Sequence, residues 1–205
     1  VRTFALNQKY KFRSQMKDIP YVFPGCRSKD LSSINKPLFE SVSKKIISLF
    51  HNAEQDYMQW AIATSFQSVS AEYGHGVIHT DQSVFAAVLY LTPDAPLDSG
   101  TSLFKPNAKF DEEKYQWCLK ENDKRFDEGK LIMDTSYHDM FDEIVRVNNV
   151  YNTLILYEGR HYHAANQFFG KMLKDSRLAQ VFFVTKIDAQ KYSSFPVWRS
   201  QQVKV

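Results

Sequence analysis

From Trp60 onward the chain breaks into short segments rich in β-branched and aromatic residues, and their number limits the fold more than any other feature. Residues 60–69 (WAIATSFQSV), 84–92 (VFAAVLYLT), 101–104 (TSLF), 144–148 (IVRVN), 153–157 (TLILY), 161–165 and 178–187 (LAQVFFVTKI) all read as strands. Turn chemistry separates several of them: Tyr73-Gly74-His75-Gly76, Pro93-Asp94-Ala95-Pro96, Asp98-Ser99-Gly100 and Glu158-Gly159-Arg160. Many short strands with turns between them predict a sandwich or barrel rather than repeated βαβ units.

Two regions depart from this series. Residues 36–50 place Leu38, Phe39, Val42, Ile46, Leu49 and Phe50 at helical spacing, with Pro37 in the first turn and Ser32, Ser33 or Asn35 available as the cap. The spacing predicts a helix packed on a sheet, with Lys44 and Lys45 on its solvated face. Together with VRTFAL at the front, it suggests a helical buttress over about residues 1–55. Residues 111–128 open on an acid-rich turn suited to a helix N-terminus, and with 134–143 they predict a helical insertion over about 108–143. Trp117, Phe126, Tyr137 and Phe141 in that insertion could line a lid, although packing onto the barrel explains each more simply. No repeat is present, and 205 residues suit one domain.

Composition sets outer limits. A hydrophobic share of 43% with 15% aromatics argues against disorder. The net charge of +3 is small and its Lys and Arg alternate with Asp and Glu, so a nucleic-acid partner is not expected. Cys26 and Cys118, far apart, make neither a disulfide framework nor a zinc spacing, which points to a reducing cytoplasm. No apolar run has the length of a membrane span, and the front has no signal-peptide core. The chain opens at Val1 inside helix-like sequence, so a few further native residues are expected before it.

His79-Thr80-Asp81 is the first chemical signal. On an extended segment, residues two apart share a face, so both side chains can reach one metal ion. A chance H-x-D in a chain of this composition has odds of roughly one in three, so alone it reads as a polar strand end. Arg160-His161-Tyr162-His163, just after TLILY, is the second signal. Two His and a carboxylate leave octahedral positions open, which suits a redox-active iron better than the hydrolytic zinc of H-E-x-x-H. His161 and His163 share strand parity, so alternation leaves both as candidates. Arg177 opens the last strand and, if it points inward, its fork can hold a carboxylate by two hydrogen bonds. Tyr90, on a core strand, needs a hydrogen-bond partner that a carboxylate would also supply.

In their order along the chain these pieces resemble the Fe(II)- and 2-oxoglutarate-dependent oxygenases, specifically the prolyl-hydroxylase-like branch and its small uncharacterised marine bacterial and phage members. That order is His79-Thr80-Asp81, Tyr90-Leu91-Thr92, Gly100-Thr101-Ser102-Leu103-Phe104, Leu154-Ile155-Leu156-Tyr157 to His163, then Arg177. The front segments Phe4-Ala5-Leu6 and Tyr21 to Arg27 also resemble those small members, so the likeness covers nearly the whole chain. It implies a mainly β fold with flanking helices, a double-stranded β-helix of the jelly-roll, cupin-like kind. It implies iron on His79, Asp81 and His163, with 2-oxoglutarate held by Arg177 and Tyr90. The implied reaction hydroxylates a substrate C–H with O2, releases succinate and CO2, and draws on ascorbate as a reductant.

The family spacing from Tyr157 favours His163 over His161 as the distal ligand. The stretch from His163 to Arg177 is long for the branch, so residues 166–176 (NQFFGKMLKDS) are expected to bulge out as a loop, with Arg160 the next basic candidate. The competing reading is a catalytically inactive jelly-roll protein that binds a metal or small acid. A further reading, a docking arm built on residues 111–130, has only a charge-rich helix behind it. The substrate, a peptide side chain or a small molecule, is not named by the sequence.

Overall fold

The structure is a computed structural model, and it describes residues 1–16, 23–49 and 58–189. In chain order the helices are α1 (Arg2–Leu6), α2 (Leu31–Ile34), α3 (Lys36–Ile47) and α4 (Glu112–Asp127). The strands are β1 (Tyr10–Phe12), β2 (Cys26–Ser28), β3 (Met58–Val69), β4 (Phe85–Tyr90), β5 (Thr101–Pro106), β6 (Phe141–Val147), β7 (Leu154–Glu158), β8 (Tyr162–Ala165) and β9 (Arg177–Ala189). The protein is mainly β, with two antiparallel sheets and a few helices. One sheet has six strands in the order β1-β2-β3-β9-β4-β7, and the other has three in the order β6-β5-β8. Among the described residues, no helix is long and apolar enough to cross a membrane.

Alternation along the strands gives each sheet two unlike faces. On the outer face of the larger sheet, Phe85, Ala87, Phe182 and Val184 pack against Ile46 and Ile47 of α3. Further along, Phe66 and Leu178 pack with Ala5 and Leu31 from α1 and α2. Each fully buried aliphatic or aromatic side chain in such a layer contributes about 1.5–3 kcal/mol relative to exposure. The outer face of the smaller sheet is covered by α4, where Tyr115 and Cys118 meet Tyr137, Met140, Phe141 and Ala164. Between the sheets, Val88, Tyr90 and Ala179 pack with Ile155 and Tyr157 and with Val147 of the smaller sheet.

The helix of residues 36–50 forms as α3, with Pro37 in its first turn. Of the three candidate caps Asn35 serves, its side chain accepting from the Leu38 N–H at 3.0 Å. Lys44 and Lys45 are exposed as expected. The helix ends at Ile47, and Leu49 is largely exposed; Phe50 lies outside the described residues.

Two boundaries need correction. The front of the chain is not wholly helical, because β1 and β2 extend the larger sheet through Tyr10↔Ser28 and Cys26↔Ser68. Strands of three residues are too short to show a period of two. In the insertion, the helix is confined to α4. Residues 136–140 form a tight 3-10 turn, and strand begins at Phe141 rather than Ile144. Asp142 and Glu143 are solvated, so their charges hide a strand that backbone pairing with Pro106 to Phe104 creates. The loop at 166–176 is present, pinned by Phe168, which is buried against Val69 and Tyr73.

Candidate metal centre

His79 and Asp81 lie on an extended segment between β3 and β4 that is stitched to β8 and the turn before it. The Gly76 N–H donates to the Ala165 carbonyl at 3.0 Å. His79 and His163 exchange backbone hydrogen bonds, 3.1 and 2.9 Å, and the Asp81 N–H donates to the Gly159 carbonyl at 2.7 Å. Gly159 permits this approach, because a Cβ there would run into the Ser83 carbonyl. The other side of the segment is fixed through Ile78. It is buried in the α4 layer, its carbonyl accepts from the Tyr137 hydroxyl at 2.9 Å, and its N–H donates to His138 Nε2 at 3.2 Å.

Backbone pairing thus sets the distance between the two histidines. Their ring centroids are 4.4 Å apart. Asp81 lies between them, with Oδ2 at 3.4 Å from His163 Nε2 and Oδ1 at 3.8 Å from His79 Nε2. One donor atom from each of the three residues falls within 4.8 Å of the others, so one ion can touch all three. Each ring is oriented from behind. His79 Nδ1–H donates to the Val77 carbonyl at 2.9 Å, and His163 Nδ1–H donates to the His161 carbonyl at 2.8 Å. That fixes the tautomer and leaves each Nε2 lone pair facing the cluster, the arrangement that metal-ligating histidines use.

The electrostatics agree. The His79 pKa is pushed down, first by desolvation and then by His163, so the ring is neutral at pH 7. Burial raises the Asp81 carboxyl, but the hydrogen bond to His163 and the electrostatic influence of the two rings and Arg27 bring it to a net value below its ordinary one. Two imidazoles and one carboxylate are the donor set of a non-haem iron site with open positions. The residues present therefore fit Fe(II).

His161 stands apart from this cluster. Its side chain is half exposed and its Nε2 lies 3.8 Å from Glu158. What reaches the cluster is its backbone carbonyl, which orients His163. Arg160 is exposed.

Arg177 points inward and is buried. Its Nε donates to the Ser99 carbonyl at 3.1 Å, and its Nη2 donates to Thr101 Oγ1 at 3.2 Å and to the Gly100 carbonyl at 3.4 Å. The guanidinium lies 5.5 Å from the centre of the Tyr90 ring, whose hydroxyl donates to Thr101 Oγ1 at 2.9 Å. Among the described residues no carboxylate lies within 4.0 Å of Arg177. A buried guanidinium without an anion is costly, and a ligand carboxylate supplies the missing charge. The residues fit that end of 2-oxoglutarate as well.

Tyr157 joins the two halves of the site and was not among the residues singled out by sequence. Its ring is 4.7 Å from that of His163, and its hydroxyl is sensitive to Asp81, Tyr90 and Arg177. Burial first, and then the Asp81 charge, push its pKa up, so it stays a neutral donor. Its parity with Ile155 on β7 was the available signal. Among the proposed lid residues, Tyr137 and Phe141 are buried under α4, Phe126 packs at the margin of another cluster, and Trp117 is exposed.

No curated protein matches the chain. A family model described as a family of unknown function, DUF6445, matches residues 1–176, a span that contains all three residues of the cluster, and the chain belongs to that family.

Proposed function

We propose that this protein is a non-haem Fe(II)- and 2-oxoglutarate-dependent dioxygenase that hydroxylates a substrate C–H. The observation that carries the reading is the conjunction of two sites between the same two sheets. A two-histidine, one-carboxylate cluster shares its surroundings with a buried arginine that lacks a carboxylate, and Tyr157 links them. The strand orders support a jelly roll. From β3 onward the chain passes back and forth between β3-β9-β4-β7 in one sheet and the 79–81 segment, β8, β5 and β6 in the other, except that β5 and β6 follow one another within the smaller sheet.

When bound, iron and 2-oxoglutarate supply the oxidising chemistry: the cosubstrate becomes succinate and CO2, and one oxygen atom of O2 enters the substrate C–H. The chain's own residues orient and enclose. His79 and His163 present fixed Nε2 lone pairs, Asp81 provides the anionic ligand, and the carbonyls of Val77 and His161 keep both rings from turning. Arg177 pairs with the distal carboxylate of 2-oxoglutarate. Thr101 and the Ser99 carbonyl hold the guanidinium in place, and the Tyr90 and Tyr157 hydroxyls face the same acid. Val88, Val147 and Ile155 exclude water from the space between the sheets.

The test uses the purified protein with Fe(II) under anaerobic conditions. Adding 2-oxoglutarate should produce a visible charge-transfer absorption, and admitting O2 should release succinate; His79→Ala should abolish both. Succinate release that survives in His79→Ala would remove this site. Absorption without succinate would favour an inactive protein that binds metal and acid.

A further inference from the structure

Alternation gives the smaller sheet an outer face, opposite the inner one that carries His163 and Leu103. Cross-strand register sets two rows on that outer face, Ala164-Ser102-Arg146 and Tyr162-Phe104-Glu143. α4 covers their β8 end, where Tyr115 and Cys118 meet Ala164, with Tyr162 and Phe104 at the margin. Toward β6 the cover ends, and Glu143 and Arg146 are exposed. A cavity of about 290 Å3 lies at this boundary, lined by Phe104, Ala164, Glu143 and Arg146 from the sheet and by His75, His138 and Asp98 around it. That size suits a small molecule.

The polar groups of the cavity are fixed from behind. His75 Nδ1–H donates to the Asn166 carbonyl at 2.6 Å, which leaves Nε2 as an acceptor. His138 Nε2 accepts from the Ile78 N–H at 3.2 Å, which ties this wall to the segment that carries His79. The Arg146 fork closes on Glu143, with Nε donating to Oε1 at 2.9 Å and Nη2 to Oε2 at 2.7 Å. That pairing is the main cause that holds the Glu143 carboxyl below its ordinary value. It uses one lone pair on each oxygen of a group that offers about four. Asp98 makes no ion pair within 4.0 Å among the described residues, although its charge reaches Arg146. Counted with His neutral, Asp98 and Glu143 against Arg146 leave the lining one net negative charge. Among the described residues only His79, Asp81 and His163 bring three metal donors together, so this cavity calls for an organic cation rather than a metal ion.

We propose that this cavity binds a small primary amine, whose ammonium group lies between Asp98 and Glu143 and donates to His75 Nε2, and whose hydrocarbon body covers the Phe104 ring. An ammonium has three N–H donors, and these groups supply an acceptor for each. The face of Phe104, the cross-strand partner of Glu143, adds attraction for a cation. Ala164 faces the cavity, while His163, next in the chain, faces the candidate metal cluster. The two sites lie on opposite sides of one sheet, and the amine site stands independently of the dioxygenase reading.

Ligand-observed NMR at pH 8 tests the site with n-pentylamine against 1-pentanol and phenethylamine against 2-phenylethanol. Each amine should bind at least ~10-fold more tightly than its alcohol, the scale of one charge-assisted contact. The preference should be the same in His79→Ala. Adding amine should shift the ring resonances of His75 and His138 and leave those of His161 in place. Asp98→Lys, which reverses the charge of the lining, should abolish the preference. Should that variant fail to fold, Asp98→Asn should lower the preference at least ~3-fold, the scale of one exposed ion pair. Glu113→Gln on α4, also exposed but outside the cavity, should leave it intact. No preference in either pair, one that survives the Asp98 substitutions, one that falls as much in Glu113→Gln, or one that needs His79 would each overturn the proposal. So would shifts at His161 in place of His75 and His138. None of these outcomes touches the dioxygenase reading, which is tested by metal and 2-oxoglutarate binding.

Discussion

Successive residues of β9 belong to two unlike environments. Leu178, Phe182 and Val184 face the helices and disappear into apolar layers; the polar exception on that side, Gln180, donates to Thr64 Oγ1 at 3.0 Å. Arg177, Ala179, Val181 and Phe183 face the other sheet, on the side of Tyr90, Tyr157 and the candidate metal cluster. A strand that holds a helix layer on one side and a guanidinium on the other separates stability from chemistry by a single residue step. Substitutions on the two faces should therefore change different measurements.

The largest effect is expected on the helix side. Phe182→Ala should lower unfolding free energy by about 3–5 kcal/mol, read by denaturant titration, while Co(II) affinity per folded molecule stays that of wild type. A loss of metal affinity matching the loss of stability would erase the distinction between the faces. Next is His163→Ala, which should weaken Co(II) binding by at least ~100-fold in an absorption titration, beyond what removing a supporting partner costs. Its thermal midpoint without metal should change little. Arg177→Gln should raise the 2-oxoglutarate dissociation constant roughly 30-fold by calorimetry, about 2 kcal/mol. Because it removes a buried charge without a carboxylate partner, the free protein should be no less stable than wild type. A marked destabilisation would show that Arg177 serves the fold instead.

The smallest effect concerns acid. His138 is pushed down to about 4, by burial first and by His75 second, and its Nε2 accepts from the Ile78 N–H. The folded value lies below the ordinary 6.5, so folded protein binds fewer protons than unfolded protein. The contribution is whole above pH 6.5 and is lost as pH falls toward 4. His138→Gln keeps an acceptor but does not titrate, so it should reduce the stability difference between pH 7 and pH 5 by about 1 kcal/mol. An unchanged difference in denaturant titrations at the two pH values would place the acid sensitivity elsewhere.

Much of the sheet was legible because its strands bury one or both faces and read as apolar runs, as in VFAAVLYLT and LAQVFFVTKI. Where strands are solvated or very short, the pattern vanishes: β6 carries Asp142 and Glu143, and β1 and β2 have three residues each. The cluster was legible as His79 and Asp81 on one face, with His163 and His161 equal by parity. What distinguishes those two is the turn at Gly159, which leaves His161 beside Glu158 and brings His163 into register with His79. Arg177 was legible as a residue, but its inward aim and its partners at Ser99 to Thr101 belong to tertiary structure. Tyr157 was hidden for a related reason, since a row across several strands has no trace in a linear pattern.

The backbone bridge between His79 and His163 also dates the site within the folding reaction. Its two halves are more than eighty residues apart in sequence, so the loop between them must close before the three ligands coexist. A chain still being synthesised, or one whose sheets have not met, offers an ion at most scattered donors. A metal held there would be a ligand of the native state alone, adding about 2.7 kcal/mol at a hundredfold excess over its dissociation constant. Uptake of an ion at the proposed site would thereby report that the two sheets have met.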